Sequence, residues 1–300
     1  MQTHLIFVHA LSPIHAGTGQ SVDVIDMPIA REKATNLPYI PGSSVKGVIR
    51  DVYADLEKRK SVFGTEEQAG DAIFADQRLL LLPIRSLYGT FAWVTSPYVL
   101  NRFAREAKTC FDDSNPIPTI SSAATTRKDS SDPKKGHAIA LVTKQSVLSA
   151  NDTVYLEDLD IPASANPDGN AADAWAQWLG ATIFKHDDPW QTILQERLCI
   201  VHDEIFNFLV TTATEITARI RLDDNTKVVE KGGLWYEEAL PAETILAGIV
   251  AINDQKGNKN TAAVDAALEQ VAQQNLIQFG GNATVGRGLC RLALVKGDRK

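Results

Sequence analysis

Short apolar runs along this chain alternate with stretches in which apolar residues return every three or four positions. Thr3 to Leu11 is apolar enough for a buried strand. After a polar loop, NLPYIPGSSVKGVIRDVYADLEKRK supplies proline and glycine, then Ser43 or Ser44 as an N-cap, then Val45, Val48, Ile49, Val52 and Leu56 at helical intervals. That pattern predicts a helix from about Ser44 to Lys60. AIFADQRLLLLP (72–83) and GTFAWVT (89–95) predict two strands with Arg85 and Tyr88 between them, and Ser96-Pro97 opens a helix reaching about Lys108. Residues 125–138, TTRKDSSDPKKGHA, read as a mobile polar loop. A capped helix around Ala171 to Leu179 carries Trp175 and Trp178, better read as core anchors than as base-stacking platforms. From His202 onward the chain reads as β-rich, and TARIRLDDNTKVVEKGGLWYEE predicts a hairpin turning at Asp224-Asn225. A helix at TAAVDAALEQVAQQ and a strand, glycine loop and strand in LIQFGGNATVGRGLCRLALV close the chain.

Helices follow strands in this order without regular alternation. That favours an α+β fold with an antiparallel sheet of ferredoxin-like type over a doubly wound one. Three hundred residues, 44% of them hydrophobic, can bury a sizeable core as one elaborated domain or two small ones. No apolar run approaches the ~20 residues of a membrane span, and Met1 to Leu11 lacks the charged start and cleavage site of a signal peptide, so a cytoplasmic chain is expected. Cys110, Cys199 and Cys290 lack paired spacing and read as reduced, buried thiols.

A net charge of -7 argues at first against nucleic acid. The distribution of the charge removes that objection. Asn151 to Glu204 holds 11 acids and 2 bases, which leaves +2 for everything else. The acidity therefore belongs to one region, either a solvated outer face or a surface that meets a basic neighbour.

The polar residues just beyond the first strand, SPIHAGTGQSVDVIDMPIARE, are candidates for chemistry, although Pro13, Gly17 and Gly19 could simply make turns that His15 caps. Lys46 and Arg50 lie four residues apart near a helix start, where free N–H groups attract anions, and form a phosphate seat or a solvated basic face. GGNATVGRG (280–288) has four glycines and one arginine between two strands. It is neither a P-loop nor a dinucleotide fingerprint, but it allows close backbone approach to a ligand, with Arg287 as the charge.

The first strand, the IHAGTG loop, the PGSSVKGVIR helix and the closing GGNATVGRG loop together resemble the RAMP superfamily of CRISPR RNA-binding proteins. VIDMPIARE, LLPIRSLYGTFAWVTSPYVLNRF and LWYEEALPAETIL look like the backbone subunit of type III-B (Cmr) effector complexes. The resemblance implies a ferredoxin-like or RRM-like palm, mainly 1–110 and 236–300, with insertions over 111–204 and a β-hairpin thumb at about 211–236. It implies copies of the chain stacked with other Cmr subunits along a guide RNA, and metal-dependent cleavage (Mg or Mn) of single-stranded target RNA at regular steps. The aspartate on which cleavage depends falls on Asp26, which would also hold the metal; the family's loop histidine falls on His15 and an acidic position on Glu237. Asp23 competes with Asp26 on spacing alone. Some relatives carry a tyrosine where Ala239 stands. The guide-binding set is Ser43, Lys46, Arg50, Arg102, Gly280, Gly281 and Arg287, with Arg219 and Arg221 on the thumb. A non-catalytic RNA-binding scaffold of the same kind of complex is the alternative, and an acid at residue 26 separates the two.

Overall fold

The computed structural model describes residues 1–19, 25–112, 116–128, 136–164, 171–253 and 261–298. In chain order the strands are β1 (Thr3–Ala10), β2 (Tyr39–Ile40), β3 (Ala72–Phe74), β4 (Gln77–Arg85), β5 (Phe91–Thr95), β6 (Thr126–Lys128), β7 (Gly136–Ala138), β8 (Ala140–Val142), β9 (Ser149–Ala150), β10 (Thr153–Leu156), β11 (Leu159–Ser164), β12 (Leu198–Ile200), β13 (Glu215–Leu222), β14 (Val229–Ala239), β15 (Ile245–Ile252), β16 (Ile277–Gln278) and β17 (Leu289–Lys296). The α-helices are α1 (Gly42–Val52), α2 (Leu56–Phe63), α3 (Pro97–Ala107), α4 (Ala171–Ile183), α5 (Asp188–Arg197), α6 (Asp203–Thr212) and α7 (Thr261–Ala272).

The sequence β1-α1-β4-β15-α7-β17 pairs in the order β17-β1-β15-β4, with each neighbouring pair antiparallel, which is the ferredoxin-like arrangement the element order predicts. β1 sits at the centre of that core, and six of its eight residues from Leu5 to Ala10 are buried along with His4. The sheet then continues past β4 through β5, β12, β8, β11, β10 and β9. Trp93 on β5, Trp175 on α4 and Phe206 on α6 are fully buried, and Trp178 packs edge-on against Phe103, Phe111 and Trp175. Trp175 is a core residue, as expected, and Trp178 packs half-buried against that core.

Three local expectations change. The helix over 44–60 is two helices, because Tyr53 leaves the helix with an extended backbone and the Asp55 carboxylate caps a new start by accepting from the Glu57 and Lys58 N–H groups. The strand over 72–83 is two strands, β3 pairing with β15 beyond the end of the β4 pairing. Residues 203–212 form a helix rather than extended chain: Phe206, Leu209 and Val210 are buried at helical spacing and the His202 ring accepts from the Glu204 N–H. Of the loop read over 125–138, the flanks form the small β6–β7 pair, and residues 129–135 lie outside the described residues.

In the acidic segment Asp152, Glu157, Asp158, Asp160, Asp188 and Glu204 are all exposed, as both an outer face and a surface meeting a basic neighbour require. The three thiols are free and buried, and burial pushes Cys199 and Cys290 up to about 12. Among the described residues no helix is long and apolar enough to cross a membrane.

Candidate active site

Three segments distant in sequence meet at the base of the β13–β14 hairpin. The first is the loop after β1. Its residues 26–29 add themselves as a short parallel ribbon to the edge of β14: Met27 N–H donates to Tyr236 O at 3.0 Å and Glu238 N–H donates to Met27 O at 3.0 Å. Asp26, half-buried at the head of this ribbon, accepts the Tyr236 N–H on Oδ2 at 2.8 Å. Asp23 lies outside the described residues.

The second segment is the hairpin itself. Register pairs Ala218 with Tyr236, Ile220 with Leu234 and Arg219 with Trp235, so one face is apolar and the other carries Thr217, Arg219, Trp235 and Glu237. Glu237 is engaged on both oxygens. Oε1 accepts from the Trp235 indole at 2.9 Å, and Oε2 accepts from Arg219 Nε at 3.1 Å and Asn282 Nδ2 at 3.0 Å. Burial pushes its pKa up, but the Trp235 and Arg219 hydrogen bonds, with the charges of Arg219 and His15, outweigh it and hold the carboxyl below the usual glutamate value. Glu237 thus braces the hairpin against the glycine loop.

The third segment is that loop. Gly281 N–H donates to His15 O at 2.9 Å, and a Cβ on Gly280 would stand 2.3 Å from the same oxygen. Gly280 has φ +81°, so two separate constraints demand glycine there. Gly280→Ala is expected to cost at least about 1–2 kcal/mol, read as a fall in melting temperature. His15 Nδ1 lies 2.7 Å from Glu238 O. A carbonyl only accepts, so Nδ1 carries a proton and Nε2 is the ring nitrogen left facing away from Glu238 O.

The expected site residues therefore divide. Asp26, His15, Glu237, Arg219, Gly280, Gly281 and Arg287 come together. Arg287 is tied to the hairpin base, with Nη1 3.0 Å from Glu215 Oε2 and Nη2 donating to Thr217 Oγ1 at 3.2 Å. Arg221 is 69% exposed further along the hairpin, 3.9 Å from Glu230. Arg102 is not an exposed cation: its side chain is 10% exposed, ion-paired to Glu32 at 2.7 Å and stacked over Tyr98. It holds α3 against the segment before β2. Ser43 is exposed but caps nothing, because Pro41 takes the N-cap position and Asp76 Oδ1 accepts the Gly42 N–H at 2.8 Å. A carboxylate thus occupies part of the anion seat read from sequence. Lys46 lies near the start of α1, but Arg50 falls in its last turn because the helix ends at Val52, so the two do not share the helix start; neither has an ion pair to any described residue.

Sequence reading missed Arg31 and Glu238. Arg31 Nη2 meets Glu238 Oε1 at 2.5 Å and also donates to Val210 O at 3.2 Å, Nη1 donates to Asn36 O at 3.0 Å, and Ile29 N–H donates to Glu238 Oε2 at 3.1 Å. The sequence carried no local signal for this pair, because adjacent glutamates do not show which one faces inward.

Residues 7–291 match the RAMP superfamily. The chain belongs to the RAMP superfamily. It is 31% identical to the CRISPR system Cmr endoribonuclease Cmr4 of Pyrococcus furiosus, covering 98% of this chain and 96% of that protein. Superposition on the crystal structure of oligomeric Cmr4 from Pyrococcus furiosus gives a TM-score of 0.75 at 25% identity over 99% of both chains. A chain of the type III-B Cmr-beta complex bound to cognate target RNA shares the fold at a TM-score of 0.71 and 22% identity, covering 98% of this chain and 97% of that one. For this RAMP protein, then, both the superfamily and the palm architecture are fixed by sequence and by shape.

Proposed function

We propose that this RAMP protein is a backbone subunit of a type III-B effector complex, which holds guide RNA by its phosphates and cuts paired target RNA beside Asp26. The observation that carries the proposal is the meeting of the post-β1 loop, which carries His15 and Asp26, with the hairpin base and the glycine loop. The site would be shared with further copies of the chain and with other subunits in the cytoplasm.

Cleavage by internal transfer forms a bond from the 2′-oxygen to phosphorus, breaks the bond from phosphorus to the 5′-oxygen, and moves the 2′-hydroxyl proton to a base. With Nδ1 turned to Glu238 O, His15 Nε2 is the nitrogen that would take that proton. Asp26 is anchored through one oxygen, and in this reading its negative charge would hold a cation against the scissile phosphate. Among the described residues no three His, Cys, Asp or Glu side chains stand close enough to share a metal ion. Asp26 is the residue that would hold a Mg or Mn ion, and the ion's other ligands would have to come from RNA and water. When bound, such an ion supplies charge neutralisation at the scissile phosphate. The chain's own residues orient: the Tyr236 N–H fixes the carboxylate, and Glu238 O fixes the imidazole.

Lys46 and Arg50 serve guide binding without reading bases, which suits a carrier that leaves discrimination to pairing. Replacing both by alanine is expected to weaken guide retention and to reduce the slope of log K against log[salt] by about 1.4; filter binding across a salt series measures it. The function itself is tested by mapping products from the assembled complex with complementary RNA and divalent metal. Evenly spaced cuts are expected. Tight target binding with no cuts would identify a scaffold instead.

A further inference from the structure

The geometry points to Glu238 as the positioning residue of the cleavage centre, fixing the ribbon that carries Asp26 to the hairpin base. This rests on the reading of Asp26 given above. The two acids of the WYEEALP stretch face opposite sides of β14 by the period of a strand, and they do different work. Glu237 turns toward the glycine loop. Glu238 turns toward the ribbon, where its side chain is 4% exposed.

Three groups from two segments distant in sequence converge on that one carboxylate. Ile29 N–H from the ribbon donates to Oε2 at 3.1 Å; Arg31, two residues on, meets Oε1 at 2.5 Å; Thr214 Oγ1, from the approach to β13, donates to Oε1 at 2.9 Å. Arg31 in turn donates to Val210 O near the end of α6. The backbone of Glu238 contributes as well, since its N–H donates to Met27 O and its carbonyl accepts from His15 Nδ1. One residue therefore sets the ribbon behind Asp26, the Nδ1 proton of His15 and the root of the hairpin. Asp26 itself has one anchor among the described residues, the Tyr236 N–H two positions earlier on the same strand. The far end of the ribbon is also tied within its own loop, by Ala30 N–H to Ala16 O at 2.8 Å and Thr18 N–H to Pro28 O at 3.3 Å, but the Glu238 side chain is what joins it to the hairpin base beyond the Met27 bridge and the Tyr236 N–H.

A misplacement of about 1 Å at a reacting centre can cost on the order of 100-fold in rate. Glu238→Gln keeps the shape and can still accept the Ile29 N–H, but it loses the ion pair with Arg31. In the assembled complex with target RNA prebound, it is expected to lower the single-turnover cleavage rate constant by roughly 10- to 100-fold. The amplitude of the reaction and the affinity for target should hold. Loss of folded complex would do the reverse, reducing amplitude at an unchanged rate constant. A wild-type rate constant in Glu238→Gln, at any amplitude, overturns the assignment. Should that variant fail to assemble, Thr214→Val removes one bond to Oε1 at nearly constant volume and is read in the same way, with a rate loss of several-fold expected and a wild-type rate constant again decisive against it. Wild-type complex run beside them separates the two readings: no cutting by wild type defeats the proposed function, whereas cutting by wild type and equally by both variants defeats only the role of Glu238.

Discussion

Asp26→Asn is expected to reduce target cleavage by at least about 10²–10³-fold while guide retention and target binding stay at wild-type levels. The substitution is chosen because the asparagine side-chain oxygen can still accept the Tyr236 N–H that Asp26 accepts at 2.8 Å, so the ribbon keeps its place and only the charge is removed. Removing one preorganised electrostatic contact from a reacting centre costs about 10²–10³ in rate, equivalent to roughly 3–4 kcal/mol of barrier. Binding should not change, because phosphate neutralisation by the guide-binding cations does not involve residue 26. Product mapping and target affinity measured on the same preparation give both numbers. Cutting at the wild-type rate by this variant would remove Asp26 from the chemistry.

The largest loss of stability is expected at Trp93. Its side chain is fully buried, donates from Nε1 to Glu243 O at 2.7 Å, and packs edge-on to Phe91 at 5.0 Å and against Trp190 and Phe184 at 5.9 and 6.0 Å. Trp93→Ala leaves a large cavity at the join between the ferredoxin-like core and the strands that extend it. The expected cost is about 3–5 kcal/mol. Trp93→Phe keeps most of the ring area and loses the bond to the bend before β15, where Glu243 has φ +69°; about 1–3 kcal/mol should go with it. Urea unfolding with both variants separates the cavity from the hydrogen bond, and equal losses would show that the indole N–H carries the whole effect.

Elements set by one local pattern were legible in the sequence. β1 is a plain apolar run, and α3 begins where Ser96 and Pro97 say it should, with Ser96 accepting from the Val99 N–H. The break between α1 and α2 was not legible, because Val52 and Leu56 continue the helical spacing across it while Asp55 looks like one more polar-face residue. Only the directions of the backbone show that Asp55 is a cap. α6 was hidden by β-branched and aromatic residues whose local preference the tertiary packing overrides.

The candidate site shows the same division. His15, Asp26 and the glycine loop stood out by residue type and by resemblance. Arg31 and Glu238 did not, since they are 207 positions apart and adjacent glutamates give no sign of which one faces inward. That depends on how β14 registers against β13 and the ribbon, which is a property of the folded chain. Arg102 erred in the other direction: an arginine on an amphipathic helix reads as an available cation until its carboxylate partner is placed.

Six carboxylates of the inserted strands and helices, Asp152, Glu157, Asp158, Asp160, Asp188 and Glu204, stand exposed. Their field reaches about 8 Å at physiological ionic strength, so a polyanion is repelled within that distance of them, and added salt shortens the reach.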